Sequence, residues 1–268
     1  MATIQLNLYS NEICKNTTIQ ILLPNDVPDM MKAGNPNYDR EMKTLFLLHG
    51  YSGNCWDWLN GSLISELSLK YNLAVVMPSG DNSFYLDAEA SGNNYETYLT
   101  KELVEYVRKT FGIAKTPEDT FIGGLSMGGF GAIHSALNHP DVFGKMFGLS
   151  SALIVNEIKD LKEDSAATVI SNKRYYENVF GDLTKLDESV VNPEYLVKER
   201  LKAGDKIQPI FMACGSEDFL IENNRQFKNF LIENNVDVEY RESTGIHEWK
   251  FWNEYIEPAI QWTLDIEE

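Results

Sequence analysis

Five glycines surround a single serine in the segment TFIGGLSMGGFGA, residues 120–132. Glycine is entropically costly inside regular structure, so this density predicts a backbone that must turn tightly or approach its neighbours closely. The segment begins as a buried strand would and continues with a helical pattern. A G-x-S-x-G sequence that joins a strand to a helix is typical of a nucleophile elbow, a sharp turn that exposes a serine hydroxyl. The segment therefore predicts that Ser126 is a catalytic nucleophile.

Other glycine-rich loops fit this segment less well. A phosphate-binding loop needs a lysine after its last glycine, and no lysine stands there. The spacing of the five glycines does not match the dinucleotide-binding pattern G-x-G-x-x-G. A glycine-rich turn that contains an incidental serine remains the alternative to a nucleophile.

A serine hydroxyl needs a base to take its proton, and the chain offers four histidines. In hydrolases with this elbow, an acid and then a histidine follow the serine along the chain, and only His247 lies far beyond Ser126. His134 and His139 fall on the helix that the elbow opens, where we expect a packing or helix-end role. His49 precedes a loop, and we expect it to shape that loop by hydrogen bonding.

The acid of such a site must lie between the serine and the histidine. Among the aspartates in that interval, only Asp218 directly follows a predicted strand, PIFMACG. Active-site groups of open α/β sheets gather at the carboxyl ends of the strands, where this carboxylate would orient the imidazole. Glu217 is adjacent and remains an alternative acid. Capping of the next helix is the alternative role for Asp218.

Two backbone N–H groups are needed to stabilise the oxyanion that forms during ester cleavage. One should belong to Met127, the residue after the serine. We assign the other to Tyr51, because Gly50 lets the chain turn sharply after the apolar run TLFLL. Trp56 and Trp58 follow in the same loop and are candidates for walls of the substrate pocket, with core burial as the alternative.

Short apolar runs alternate with helical patterns through most of the chain. Runs such as LAVVMP suit strands that are buried on both faces of a parallel sheet. The alternation predicts an α/β fold with a doubly wound, mostly parallel sheet and helices on both faces. The first two apolar runs, TIQLNLYS and TTIQILLP, predict a hairpin or two edge strands. Residues 152–208 show helical pieces but no convincing core strand, so we expect a small insertion over the active site. A single domain of residues 1–268 is predicted.

The composition limits the classes of partner. The chain has 23 Lys and Arg against 40 Asp and Glu, a formal net charge of −17. Nucleic-acid binders need a basic footprint, and acidity disfavours anionic membranes, so we expect neither partner. No leader pattern or long apolar run is visible, and Cys14, Cys55 and Cys214 form no metal-like cluster. We therefore expect a cytoplasmic protein with reduced thiols and no metal or organic cofactor.

Five ordered segments make the chain resemble a known family: LLHGYSGN, VVMPSGDNSFYLD, FIGGLSMGGFGA, ACGSEDFL and GIHEWKFW. It resembles the esterase D-like α/β-hydrolases, most closely their tributyrin esterase-like group, and the resemblance runs along most of the chain. It implies the α/β-hydrolase fold and a triad of Ser126, Asp218 and His247. It also implies an oxyanion hole formed by the backbone N–H groups of Tyr51 and Met127.

The same resemblance implies a small acyl pocket, with Tyr85 and Asp87 of the FYLD segment near the active site. We therefore expect a serine carboxylesterase that hydrolyses short-chain acyl esters of small molecules through an acyl-enzyme. A feruloyl or acetylxylan esterase and an S-formylglutathione hydrolase-like thioesterase are the alternatives. In the glutathione-thioester branch, histidines flank the elbow serine at the positions that Leu125 and Phe130 occupy here, which argues against formylglutathione. A non-catalytic binding protein would lack a triad member, and none is missing; a homo-oligomer stays open.

Overall fold

The computed structural model describes residues 1–88, 91–162 and 170–266, and within these residues eight strands form one sheet. The strand order across the sheet is β1-β2-β4-β3-β7-β8-β9-β10. The strands of this sheet are β1 (Ala2–Ser10), β2 (Lys15–Leu23), β3 (Lys43–Leu48), β4 (Leu73–Pro78), β7 (Thr120–Leu125), β8 (Lys145–Leu149), β9 (Ile210–Gly215) and β10 (Val238–Ser243). A separate two-stranded ribbon pairs β5 (Asp87–Ala88) with β6 (Asn93–Asn94).

The sheet is mostly parallel, as predicted. Across the sheet from β4 to β10, every adjacent pair of strands is parallel. Within this sheet only β2 runs in the opposite direction. The predicted hairpin is confirmed, because β1 and β2 pair antiparallel with Ala2 opposite Leu23 and Ser10 opposite Lys15. The carboxyl ends of β3, β7 and β9 therefore open on one edge of the sheet.

Helices account for most of the remaining described chain. They are α1 (Asp29–Lys32), α2 (Asp57–Gly61), α3 (Ile64–Lys70), α4 (Tyr95–Thr97), α5 (Val104–Phe111), α6 (Met127–Asn138), α7 (Val155–Ile158), α8 (Lys173–Phe180), α9 (Pro193–Ala203), α10 (Ile221–Glu233) and α11 (Trp249–Thr263). Short 3₁₀ helices span Pro36–Tyr38, Pro117–Asp119 and Leu183–Glu188. Among the described residues, no helix is both long and apolar enough to cross a lipid bilayer.

Two hydrophobic cores lie on the two faces of the sheet, because successive strand residues point to opposite sides. On β3, Phe46 and Leu48 pack with α5, α6, α9 and α10 in one core, whereas Leu45 and Leu47 pack with α3 and α11 in the other. This arrangement confirms the predicted doubly wound α/β class with helices on both faces.

Two segments whose apolar residues follow helical spacing are each divided into shorter helical pieces. The pattern over residues 58–70 predicts one helix, but the structure separates α2 from α3 at Ser62. The hydroxyl of Ser62 donates to the carbonyl of Trp58 and accepts from the N–H of Ile64, so it replaces helical hydrogen bonds at the break. The pattern over residues 94–112 also predicts one helix, and here a π-helical stretch, Tyr98–Leu103, joins α4 to α5.

The segment predicted to be an insertion contains α7, α8, a 3₁₀ helix and α9. Its described residues, 152–162 and 170–208, contain no strand, which agrees with the absence of a strand pattern. Three of its aromatic side chains pack into or against the larger core: Tyr176 and Phe180, which are buried, and the half-buried Tyr175. That this segment is an insertion within a single domain stays a prediction.

The close packing of the elbow glycines predicts a large cost for even one methyl group. A Cβ on Gly128 would lie 2.4 Å from the Leu48 carbonyl oxygen, which is backbone and cannot rotate away. We expect Gly128→Ala to lower the free energy of unfolding by about 3 kcal/mol. Urea denaturation at neutral pH measures this loss.

Gly34→Ala is the matched control, because a Cβ there meets no atom within 4 Å and only its positive φ of 79° opposes the change. It should cost about 1 kcal/mol. Equal losses in the two variants would contradict the steric account of the elbow.

Candidate active site

Ser126 occupies a single-residue turn between β7 and α6. Its φ of 54° and ψ of −119° are unfavourable for a residue with a side chain. The conformation persists because neighbouring backbone groups hold it: the Ser126 N–H donates to Leu149 O at 2.9 Å, and the Ser126 carbonyl accepts from Ala152 N at 2.9 Å. The turn therefore presents the hydroxyl at the carboxyl edge of the sheet.

The flanking glycines permit this turn. A Cβ on Gly124 would lie 2.5 Å from backbone atoms of Gly128 and 2.8 Å from the Leu48 carbonyl oxygen. Gly128 meets the same carbonyl from the helix side. The two glycines thus let the ends of β7 and α6 close against each other and against β3.

The structure brings together the three side chains that the sequence predicts. The Nε2 atom of His247 lies 3.0 Å from the Oγ atom of Ser126. Its Nδ1 atom lies 2.9 Å from Oδ2 of Asp218 and 3.1 Å from Oδ1. Because a carboxylate only accepts, Nδ1 carries the proton and Nε2 is left to accept from the serine hydroxyl. This geometry allows proton transfer from Ser126 to His247.

Asp218 rather than Glu217 faces the imidazole. Asp218 is only 2% exposed, and its Oδ1 atom also accepts from the N–H of Leu220 at 2.9 Å. That second bond fixes the carboxylate, while the helix itself begins only at Ile221. Glu217 is exposed, and its backbone N–H donates to the carbonyl of Gly245.

Aromatic rings frame His247, and the sequence reasoning missed them. The Phe219 ring centroid lies 4.6 Å from the imidazole, and the Trp252 ring stands perpendicular to it at 5.0 Å. Trp252 is anchored by a hydrogen bond from Nε1 to Ser150 Oγ, whereas Phe219 is 49% exposed and forms an outer wall. The sequence holds one indication of them, because Phe219 directly follows Asp218 and Trp252 lies five residues after His247.

The loop after β3 passes directly beside the serine. A Cβ on Gly50 would lie 2.7 Å from the Leu125 side chain and 3.4 Å from Ser126 Cβ, so the backbone of residues 50 and 51 runs against the elbow. Met127 opens α6, and the first N–H groups of a helix have no acceptor within it. The N–H groups of Tyr51 and Met127 thus belong to two segments that meet at Ser126.

His49 supports this loop in the way the sequence predicts. Its Nδ1 atom lies 2.7 Å from the Gly50 carbonyl and its Nε2 atom 2.8 Å from the Gly80 N–H. A ring that donates at one nitrogen and accepts at the other is neutral. Burial lowers the pKa of His49, outweighing the opposing effects of the bond to Gly50 and of nearby carboxylates. The imidazole therefore acts as a neutral brace between the loops after β3 and β4.

Two candidates for pocket walls belong to the core instead. Trp58 is only 1% exposed, its Nε1 donates to the Leu48 carbonyl, and its ring packs on Trp249. Tyr85 is also buried, and its hydroxyl donates to the His49 carbonyl at 3.2 Å. The structure thus corrects the pocket role considered for these two residues: both support the loop after β3 from the core side.

The other two candidates lie elsewhere. Trp56 is 41% exposed on the surface of the same loop. Asp87 accepts from the N–H and the hydroxyl of Thr97, and it borders a cavity of about 620 Å³ beneath α8. None of the described residues that line this cavity belongs to the Ser126 site. Within the described ranges, no three His, Cys, Asp or Glu side chains are grouped as metal ligands.

Comparisons with known proteins identify the family of this chain. The family model described as "Putative esterase" matches residues 10–263. The chain belongs to this esterase family. An acetyl esterase of Caldicellulosiruptor saccharolyticus is 45% identical over 263 residues, which cover 98% of each chain. This protein is therefore a serine hydrolase that acts on carboxylic esters.

Solved structures of this esterase fold agree over nearly the whole chain. The fluorophosphonate-binding serine hydrolase F of Staphylococcus aureus, with substrate bound, superposes with a TM-score of 0.83 and 29% identity. An S-formylglutathione hydrolase of the same organism gives 0.81 and 30%. Each comparison covers 98% of both chains. The predicted α/β-hydrolase fold and the family resemblance are thereby confirmed.

The neutral brace at His49 predicts how folding stability changes with pH. A histidine whose pKa is lowered by folding leaves stability intact above its unfolded pKa of about 6.5 and reduces it as the pH falls below that value. We expect His49→Gln to lower the free energy of unfolding by about 1–3 kcal/mol at pH 7.5, because it disrupts buried hydrogen bonds. The difference from wild type should shrink at pH 5.5.

Urea unfolding of both proteins at the two pH values measures this difference. All other side chains are the same in both proteins, so the comparison isolates His49. A difference that stays constant between pH 7.5 and 5.5 would contradict a neutral His49.

Proposed function

We propose that this esterase hydrolyses short-chain acyl esters with Ser126 as nucleophile, His247 as base and Asp218 as the acid that orients the base. The observation that carries the proposal is the continuous chain of contacts from Asp218 through His247 to the Ser126 hydroxyl. It supports covalent catalysis, because a serine is a poor nucleophile unless an oriented base takes its proton.

The proposed reaction has two halves. His247 Nε2 takes the hydroxyl proton as Ser126 Oγ attacks the ester carbonyl, and the N–H groups of Tyr51 and Met127 stabilise the oxyanion. His247 then gives the proton to the departing alcohol, which leaves an acyl-enzyme on Ser126. Water, deprotonated by His247, attacks that acyl group, and collapse of the second oxyanion releases the acid and restores the serine.

The proposed preference for short acyl chains rests on likeness. The relative that matches 98% of the chain at 45% identity is named an acetyl esterase. Phe219 and Trp252 supply apolar surface around His247, which suits an uncharged ester better than an anionic one. The formal charge of −17 adds a mild repulsion of anions.

A thioesterase is the second candidate, favoured by the likeness to the S-formylglutathione hydrolase structure. The elbow argues against glutathione itself. Leu125 and Phe130 stand where histidines flank the serine in that branch, and both are buried. Phe130 packs against Phe84 and Phe180, so it cannot reach a ligand above Ser126. We retain the thioester as an arm of the experiment below. A feruloyl or acetylxylan ester is tested in the same way.

A cytoplasmic location is part of the proposal. It is supported by three cysteines that form no disulfide, with Cys55 and Cys214 buried and Cys14 exposed.

The proposed nucleophile is tested with p-nitrophenyl esters of two to twelve acyl carbons, methyl ferulate and an S-formyl thioester of glutathione. We expect kcat/KM to be highest for the shortest acyl chains. Ser126→Ala should lower it by at least about 10⁴-fold, because triad residues act as a unit. Ester hydrolysis that survives in Ser126→Ala would refute the assignment, and a thioester preference would favour the second candidate.

The proposed acid is tested by a matched pair of neighbours. Asp218→Asn keeps the shape of the side chain but cannot hold His247 in the reactive tautomer, so we expect kcat to fall about 10³–10⁴-fold at pH 7.5. Glu217→Gln removes an exposed charge one residue away and should stay within about twofold of wild type. The assignment of the acid fails if the two variants lose comparable activity.

A further inference from the structure

We propose that Tyr175, on helix α8, is a positioning residue that holds the Tyr51 N–H in place for the oxyanion. This inference rests on the proposed function, because it takes the Tyr51 N–H as an oxyanion donor. Tyr175 lies outside the five segments that carry the family resemblance. It lies 124 residues after Tyr51 in the sequence.

The first contact is between two rings. The Tyr175 ring stands perpendicular to the Tyr51 ring, at 89° and a centroid separation of 5.7 Å. Both side chains are half-buried. An edge-to-face pair of this kind is favourable beyond the burial of area, and it is directional. It limits the rotation of the Tyr51 side chain and therefore of the peptide to which it is attached.

The second contact passes through Asn82. The Tyr175 hydroxyl donates to the Asn82 carbonyl at 2.7 Å. The side-chain oxygen of Asn82 in turn accepts from the N–H of Ser52 at 2.7 Å. Ser52 has a positive φ of 61°, a conformation that needs outside support in a residue with a side chain. Tyr175 therefore contacts the loop at Tyr51 directly and at Ser52 through Asn82.

The third element is the anchor of Tyr175 itself. The neighbouring residue Tyr176 is fully buried and packs against Phe180, which lies 5.6 Å from Phe130 between ring centroids. Phe130 belongs to α6, the helix that Met127 opens. The two proposed oxyanion donors are thus fixed relative to the same helix, Met127 by the chain and Tyr51 by Tyr175.

The phenol is suited to this role over the whole working range of pH. Burial raises the pKa of Tyr175 well above its ordinary value, with smaller contributions from Tyr51 and Tyr176. The hydroxyl therefore stays protonated and keeps donating to Asn82.

A positioning role makes a specific kinetic prediction. The oxyanion exists only in the transition states and intermediates, so a misplaced donor lowers kcat and leaves KM nearly unchanged. We expect Tyr175→Phe, which removes only the hydroxyl, to lower kcat for p-nitrophenyl acetate about 10-fold. A boronic acid that forms a tetrahedral adduct with the serine should bind more weakly by a similar factor.

Tyr195→Phe is the matched control. Tyr195 is another half-buried tyrosine of the same segment, on α9, where it borders a surface groove that contains no part of the proposed site among its described lining residues. Its kcat, KM and boronic acid affinity should equal those of wild type. In each of these variants, the final extent of fluorophosphonate labelling measures the fraction of protein with a reactive Ser126. A thermal melt shows whether the variant is folded.

A double-mutant cycle separates the two routes to the loop. Asn82→Ala removes the acceptor of the Ser52 N–H while the Asn82 carbonyl remains. If Tyr175 acts through Asn82, the double variant Tyr175→Phe with Asn82→Ala should lose little more kcat than the worse single variant. Losses that multiply instead would overturn the linkage through Asn82.

The remaining outcomes decide the proposal. Wild-type kcat in Tyr175→Phe would overturn it, and so would a rise in KM alone, which would make Tyr175 a substrate contact. A fall in kcat matched by an equal fall in labelled serine would show a folding role and would also overturn it. Failure of the proposed function looks different, because then Ser126→Ala would keep the activity of wild type.

Discussion

The contact on which the site depends is the close approach of three backbone segments at the end of the sheet. Gly124 on β7 and Gly128 on α6 both lie against the Leu48 carbonyl of β3, with no room for a side chain. This contact fixes the elbow and, because β3 continues into the loop of Gly50 and Tyr51, it also sets the distance between that loop and Ser126. This contact therefore determines the positions of the Ser126 hydroxyl, of both proposed oxyanion donors and of His49.

The sequence predicts the fold and the three side chains around Ser126 well, for a physical reason. Strands that are buried on both faces must be apolar throughout, so β3, β4, β7 and β9 are visible as continuous apolar runs. The elbow needs its glycines whatever the substrate, so its pattern is visible as well. His247 and Asp218 follow from chain order and from their place after strands, and both meet as expected. That their roles are catalytic stays a proposal until Ser126→Ala and Asp218→Asn are measured.

The surroundings of the site were much harder to predict. The sequence pattern of a loop does not distinguish a tryptophan that faces the substrate from one that packs in the core. The contacts of Trp58 with Leu48 and Trp249 in the structure assign it to the core. At the break between α2 and α3, the Ser62 hydroxyl replaces backbone hydrogen bonds of the helix. The spacing of apolar residues gives no sign of this local competition. Tyr175 contacts Tyr51 although the two residues are 124 positions apart in the sequence. The spacing of apolar residues predicts local structure and carries no information about such distant contacts.

The bond from Ala152 N to the Ser126 carbonyl has a consequence for how enzymes of this shape can diversify. The first residue of the segment 152–208 supports the nucleophile through its backbone N–H. Helices α8 and α9 contact the rest of the protein through side chains such as Tyr175 and Arg200. New lengths or sequences can therefore be inserted in this segment without moving the serine, provided that two features are kept. These are the junction at residues 150–152 and the contacts of α8 with the Tyr51 loop and with α6. A swap that begins before Ala152 would instead remove a hydrogen bond that holds the nucleophile in its turn.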